Sequence, residues 1–245
     1  GRAWVADRGE GGIVGIDLST GLEAGRIHVQ GVESVAADWA DNLLVAWKGR
    51  VEVRTSAGQT ALALDPGENL GAVADVAVDF VNRRYLALFR DASRVVVWDA
   101  SGTPVTEFGG RGDEAADLRT PRGLAVTPSG QVVVADGGHG LVKVFTPAGQ
   151  HVFSAGGQGG GVGKFVQLDD VAVGSSGIIY ASDSFQSWVQ SFYPDGTPRE
   201  VVGTYGEGSG RFKTPAGVAV ADGLGRLVVA SLNSSRLEVF RLETG

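Results

Sequence analysis

Cysteine and methionine are absent from this chain, and histidine occurs only at His28, His139 and His151. Without thiols there is no disulfide framework, no thiolate zinc site and no cysteine nucleophile. No stretch reaches the roughly 18 apolar residues of a transmembrane helix. The basic excess of a general nucleic-acid binder is missing as well, because the formal net charge is −7. Methionine is missing even at position 1, so the chain reads as a processed or a trimmed product. A removed leader would place it outside the cytoplasm, as a periplasmic, secreted or surface-exposed protein.

What the chain has in abundance is glycine, 39 of 245 residues, about twice the usual share. With no collagen period, that content predicts many tight turns and hence many short strands. A hydrophobic fraction of 43% with 20% charged residues is that of a folded globular protein.

One phrase recurs. "WVAD" ends at Asp7, "LVAW" at Trp47, "LALF" at Phe89, "VVAD" at Asp136, "YASD" at Asp183 and "VVAS" at Ser231, spaced 40, 42, 47, 47 and 48 residues apart. Each is followed by a polar turn and an alternating strand such as "VVVW", "VKVF" or "LEVF", then by a turn such as "DASG", "TPAG" or "YPDG". A further apolar strand precedes five of the six, at 35–37, 76–78, 124–126, 171–173 and 218–220. A unit of about 45 residues with four strands is a propeller blade. The reading is an all-β fold, a six-bladed β-propeller of four-stranded antiparallel blades, as one domain over 1–245. Small Val and Ala in the first strand of each unit suit the crowded innermost position. Trp98, Phe145, Phe192 and Phe240 end the third strands and are expected between neighbouring blades. The first unit begins at its second strand and the last stops after its third. The terminal blades are therefore three-stranded, or an upstream segment has been trimmed.

The segments between blades, "EFGGRGDEAADLRTPRGLAV", "SAGGQGGGVGKFVQLDDVAV" and "VVGTYGEGSGRFKTPAGVAV", resemble the NHL repeat. The resemblance runs from about residue 107 to 241 and weakens toward the N-terminus, where "VADRGEGGIVGIDLSTG" is more similar to a YVTN-type propeller repeat. It implies a propeller that binds protein or RNA. Similarity to sugar-lactone hydrolases and to three-histidine propeller lyases, both propellers with a metal site, implies a metal-dependent enzyme as the alternative.

The candidates for chemistry follow from the repeat. None of the three histidines falls on a first strand, which speaks against a three-histidine metal site. Asp7, Asp136 and Asp183 close their motifs and are expected to staple turns, since Asp bonds the backbone two residues on. Glu33, Asp75, Arg122, Asp169 and Asp170 precede the first strands and are expected at one channel mouth. Converging carboxylates there suit Ca²⁺, and a solvated polar rim is the ordinary alternative. Arg111-Gly112-Asp113 spells an adhesion tripeptide where the repeat needs glycine anyway. Asn233-Ser234-Ser235 spells a glycosylation acceptor. No Gly-x-Ser-x-Gly elbow, phosphate loop or acid–base pair is present, so no catalytic residue is assigned and no metal or cofactor is required.

The inter-blade linkers hold Arg111, Arg119, Lys164, Arg211 and Lys213 with Phe165, Tyr205 and Phe212. Basic and aromatic residues together bind RNA or protein. The acidic balance and the interleaved Glu114, Asp117 and Glu207 speak against nucleic acid. The expectation is a non-catalytic scaffold or sensor module that offers Arg111, Arg119, Lys164, Arg211, Lys213 and Tyr205 to a protein partner. Phe165, Tyr205 and Phe212 have packing between blades as their alternative.

Overall fold

Short apolar runs bounded by glycine turns fold as expected. The computed structural model describes residues 1–232 and 236–242, and within them every element is a strand except one 3-10 turn, Asp222–Leu224. Asn233-Ser234-Ser235 lies outside the described residues. Among the described residues no helix is long and apolar enough to cross a membrane. The chain divides into two units, Gly1–Gly112 and Asp113–Gly245.

The first unit holds three blades. Blade one is β1 (Arg2–Asp7), β2 (Gly12–Asp17) and β3 (Glu23–His28). Blade two is β4 (Val32–Ala37), β5 (Leu43–Trp47), β6 (Arg50–Arg54) and β7 (Thr60–Leu64). Blade three is β8 (Val73–Asp79), β9 (Arg84–Phe89), β10 (Arg94–Asp99) and β11 (Pro104–Gly109).

The second unit holds three more. Blade four is β12 (Pro121–Val126), β13 (Val132–Asp136), β14 (Leu141–Phe145) and β15 (His151–Gly156). Blade five is β16 (Leu168–Val173), β17 (Ile179–Asp183), β18 (Trp188–Phe192) and β19 (Pro198–Val202). A two-residue parallel pair, β20 (Thr204–Tyr205) and β21 (Arg211–Phe212), leads into blade six, β22 (Pro215–Ala221), β23 (Arg226–Ser231) and β24 (Arg236–Arg241). Within every blade consecutive strands pair antiparallel in chain order. The fold class is a six-bladed β-propeller with three-stranded first and last blades.

The middle strands of a blade are covered on both faces and are apolar on both sides, whereas the outer strands keep exposed residues. Trp98, Phe89 and Leu44 anchor the core of the first unit, and Phe145, Phe165 and Phe192 are fully buried in the second. Phe240 is only half-buried, because β24 has no outer neighbour among the described residues. Tyr85 stacks on Trp39 with centroids 4.9 Å apart and donates to Asp38 Oδ2 at 3.0 Å. Burial first, and then the Asp38 carboxylate, hold its phenol above the ordinary tyrosine range.

The turns between third and fourth strands explain the recurrent "xxxG". Gly102, Gly149 and Gly196 take φ of 85°, 83° and 86°, a region that glycine enters without steric penalty. Each first strand of a four-stranded blade, and that of the last, carries a β-bulge at its second residue, with register shifts at Val32/Ser34, Val73/Asp75, Pro121/Gly123, Leu168/Asp170 and Pro215/Gly217. First strands of successive blades pack side by side, β4 with β8 in the first unit and β12, β16 and β22 in the second. The approach is close enough to require glycine: a Cβ on Gly123 would lie 2.7 Å from Asp170 Cα.

Candidate functional site

The glycine-rich linkers of the second unit are closed loops rather than open spacers. In the 156–165 linker, Phe165 N–H donates to the Gly157 carbonyl at 2.9 Å and Gly159 N–H to the Phe165 carbonyl at 3.0 Å. In the next, Gly206 N–H donates to the Phe212 carbonyl at 3.0 Å beside the β20–β21 pair. Each loop drives one ring inward. Phe165 lies 5.8 Å from Phe192, and Phe212 lies 5.5 Å from Phe240. Glycine makes this possible, since a Cβ on Gly203 would sit 2.1 Å from the Phe212 ring. Leu118, fully buried, is the corresponding plug of the first linker in this unit. Of the aromatics read from the sequence, Phe165 and Phe212 thus belong to the core, whereas Tyr205 stands 70% exposed.

The cations of these loops fall into two groups. Arg119 pairs with Asp113 at 3.4 Å, and Lys213 pairs with Glu207. The Lys213 contact holds the Glu207 carboxyl below its ordinary range and raises the ammonium in return. Lys164 and Arg211 are exposed and make no ion pair among the described residues. They hold the same place in successive loops, one residue before the buried Phe165 and Phe212. In the first unit, Arg111 is exposed and donates to the Asp91 carbonyl at 3.1 Å.

Of the three motif aspartates, two staple their turns as expected. Asp7 Oδ1 accepts from Gly9 N–H at 3.1 Å, and Asp183 Oδ1 accepts from Phe185 and Gln186 N–H at 3.1 and 2.9 Å. Asp136 does something else. Fully buried, it accepts from Arg119 N–H at 2.7 Å, contacts His139 Nδ1 at 2.6 Å and pairs with Lys143 Nζ at 3.1 Å. His139 Nε2 in turn lies 3.1 Å from Asp113 Oδ1, so His139 is a bridge between two carboxylates rather than an ordinary surface histidine. That hydrogen bond, followed by the charge of Arg119, holds the Asp113 carboxyl below its usual range. Asp113, the acid of the adhesion tripeptide, is therefore already engaged. The sequence signal that marks the network is the lysine inside the apolar strand "LVKVF".

The residues expected at a channel mouth separate into two positions of the bulge. Glu33, Arg122 and Asp169 are the bulged residues themselves; Asp75 and Asp170 follow the bulge. Arg122 Nη1 pairs with Asp169 Oδ1 at 2.5 Å. Asp170 Oδ1 accepts from its neighbour Val171 N–H at 2.8 Å, and Oδ2 accepts from Val218 N–H at 2.8 Å, which joins β16 to β22. In the first unit, Asp75 Oδ1 accepts from Ser34 Oγ at 2.5 Å, and Glu33 Oε2 accepts from Gly49 N–H at 3.2 Å. Asp75, Asp169 and Asp170 tie neighbouring first strands together, whereas Glu33 holds the β5–β6 turn of its own blade. Among the described residues no three His, Asp or Glu side chains are grouped to hold a metal ion. A cleft of about 200 Å³ opens between the hairpin turns of blades four and five, with Thr127, Ser129, Ser175 and Pro194 in its wall.

The comparisons agree with this geometry. The family model of the NHL repeat matches residues 118–145, from the buried Leu118 to the end of β14. The chain is thus a six-bladed β-propeller that contains an NHL repeat. No curated protein sequence matches it. Among solved structures it is similar to a protein of unknown function from Bacteroides caccae, with a TM-score of 0.72 and 15% identity over 93% of this chain and 81% of that one. It is similar to streptogramin B lyase, with a TM-score of 0.65 and 12% identity over 100% of this chain and 80% of the other. Kuenenia stuttgartiensis hydrazine synthase gives a TM-score of 0.69 at 11% identity over 100% and 93%. At these identities the likeness is one of fold alone.

Proposed function

We propose that this chain acts as one propeller domain whose role is non-catalytic, a scaffold or sensor module that binds an acidic protein partner through its inter-blade loops. The observation that carries the reading is the placement of Lys164 and Arg211. Both sit exposed on closed, hydrogen-bonded loops at equivalent positions, with no carboxylate partner among the described residues, in a chain of net charge −7. An acidic protein leaves its cations unpaired at little gain unless they meet an outside anion, and loops on a rigid scaffold are where recognition concentrates. Lys213 and Tyr205 share the linker of Arg211, and Arg119, on the linker before blade four, and Arg111, of the first unit, belong to the same proposal. The alternative, a metal-dependent hydrolase- or lyase-like enzyme, rests on likeness of fold, and no grouping of ligands among the described residues favours it.

The test is a triple charge reversal, Arg111→Glu with Lys164→Glu and Arg211→Glu, in a pull-down from the source organism across a salt series. The reading expects partners to be lost, with the wild-type interaction weakening as salt rises. Retention of every partner at unchanged salt sensitivity, in a variant with an unchanged melting curve, would place the binding surface elsewhere.

A further inference from the structure

The three linkers of the second unit can be superposed on their buried plugs, Leu118, Phe165 and Phe212. Five residues before the plug stand Asp113, Gly160 and Glu207; one residue after it stand Arg119, Val166 and Lys213. In the first and third loops these positions form an ion pair, Asp113–Arg119 and Glu207–Lys213. In the middle loop both members are gone, replaced by glycine and by a valine that is exposed. Three residues before the plug, Ala115 and Ser209 correspond to Val162, which is 64% exposed. The adjacent turn of blade five adds Phe185, 72% exposed, where the turn of blade four has Gly138. Blade five has thus exchanged a self-satisfied polar loop for Val162, Val166 and Phe185 beside the unpaired Lys164.

None of these apolar side chains is demanded by the fold, because the sister loops close without them. Nor is the patch soft. Asp183 staples the Phe185 turn through two backbone N–H groups, and Gln186 Nε2 returns to Asp183 Oδ2 at 2.8 Å. Gln186 Oε1 accepts from Gly161 N–H at 2.8 Å, and Gln190 holds Gly163 N–H and the Lys164 carbonyl at 2.7 and 2.6 Å. Turn and loop are cross-braced, so Phe185 and Lys164 are presented on a backbone that loses little freedom on binding. A rigid exposed aromatic on a turn braced to the loop of an unpaired cation has the composition of an interface anchor.

We infer that Phe185, Val162 and Val166 around Lys164 form the anchor of the interface, and that its ligand is an extended acidic peptide segment with an apolar side chain close to a carboxylate. The apolar group covers Phe185 and the valines while the carboxylate meets Lys164; Arg211 of the following loop takes a second acidic residue. This rests on the protein-binding reading above and narrows it to one patch and one ligand chemistry.

The experiment pans a phage-displayed random twelve-residue peptide library against the whole chain, then measures the enriched peptides by fluorescence anisotropy. Expected are peptides rich in Asp or Glu next to an aromatic or aliphatic residue, whose affinity drops more than tenfold in Phe185→Ser and in Lys164→Glu and falls with added salt. Both substitutions are on the surface, and unchanged melting curves verify the fold. No enrichment, enrichment without acidic residues, or equal affinity for both variants overturns the inference. Phe185-dependent sedimentation with anionic phospholipid vesicles, in place of peptide binding, overturns it in favour of a membrane surface. If the peptides ignore the patch but the triple charge reversal still loses its partners, only this inference falls. If the triple reversal keeps them all, the broader reading falls with it.

Discussion

Lys143 Nζ stands 3.1 Å from Asp136 Oδ2, and both side chains are buried inside blade four. The lysine also donates to the Asp117 carbonyl at 2.5 Å, so one ammonium holds the linker and the blade together. Removing a single partner of a buried pair strands the other charge, at about 3–5 kcal/mol. Asp136→Ala is therefore expected to cost about that much in urea unfolding. A cost below about 1 kcal/mol, the range of surface pairs, would show that the pair is not desolvated in solution.

The loop plugs give a sharper contrast. Gly203 and Gly208 both have positive φ, 85° and 107°, so alanine pays a backbone penalty at either. Only at Gly203 does the added Cβ strike a buried ring, that of Phe212, whereas the space around Gly208 is open. Gly203→Ala is expected to be less stable than Gly208→Ala by about 1–3 kcal/mol, the cost of overpacking. Equal midpoints for the two would refute the plugged-loop geometry.

Burial of the third-strand aromatics is unequal, and stability should follow. Phe192 is fully buried against Phe165, whereas Phe240 is half-buried. Phe192→Ala is expected to cost about 3–5 kcal/mol, and Phe240→Ala clearly less, as read from chemical denaturation of each variant. The reverse order would mean that the blade alignment is wrong.

The turn carboxylates predict an acid response. Asp99 Oδ1 accepts from Ser101 Oγ at 2.6 Å and from Ser101 and Thr103 N–H at 2.9 and 3.0 Å, and its carboxyl is held below the ordinary range, first by the Ser101 hydroxyl. Asp17 is lowered in the same way, first by the Ser19 hydroxyl, and Asp195 first by the Thr197 backbone N–H and then by its hydroxyl. A depressed carboxyl contributes stability that is complete above its unfolded value of about 3.9 and is lost as pH falls through the folded one. Asp99→Asn should therefore melt below the wild type at neutral pH, and the gap should narrow as the pH falls below the unfolded carboxyl value and through the lowered folded one. A gap that widens in acid would contradict the assignment.

Strand count, the three-stranded ends and the glycine turns were legible in the sequence because each is local: an alternating run, a turn signal, a repeat length. The motif aspartates were legible for the same reason at Asp7 and Asp183. Asp136 was not, because its partners Lys143 and the Arg119 N–H come from the next strand and from the preceding linker, and Lys143 occupies a strand position that alternation alone would turn to solvent. Covering both faces of a blade removes that distinction. Asp169 and Asp170 look alike as neighbours in sequence, yet the bulge sends one to Arg122 and the other to Val218. Phe185 and the Gly160–Val166 replacement were missed because they show only when loops are compared with the ion pairs of their sisters in view.

The most direct measurement of the binding account is site-specific photo-crosslinking in lysate of the source organism. A benzophenone side chain replaces Tyr205 on the loop end in one protein and Ser176, in the wall of the hairpin cleft, in another. The account predicts a salt-sensitive protein adduct from position 205, absent when Lys164→Glu and Arg211→Glu are introduced together, and none from position 176. Adducts from position 176 alone, or from position 205 unaffected by the charge reversals, would contradict it.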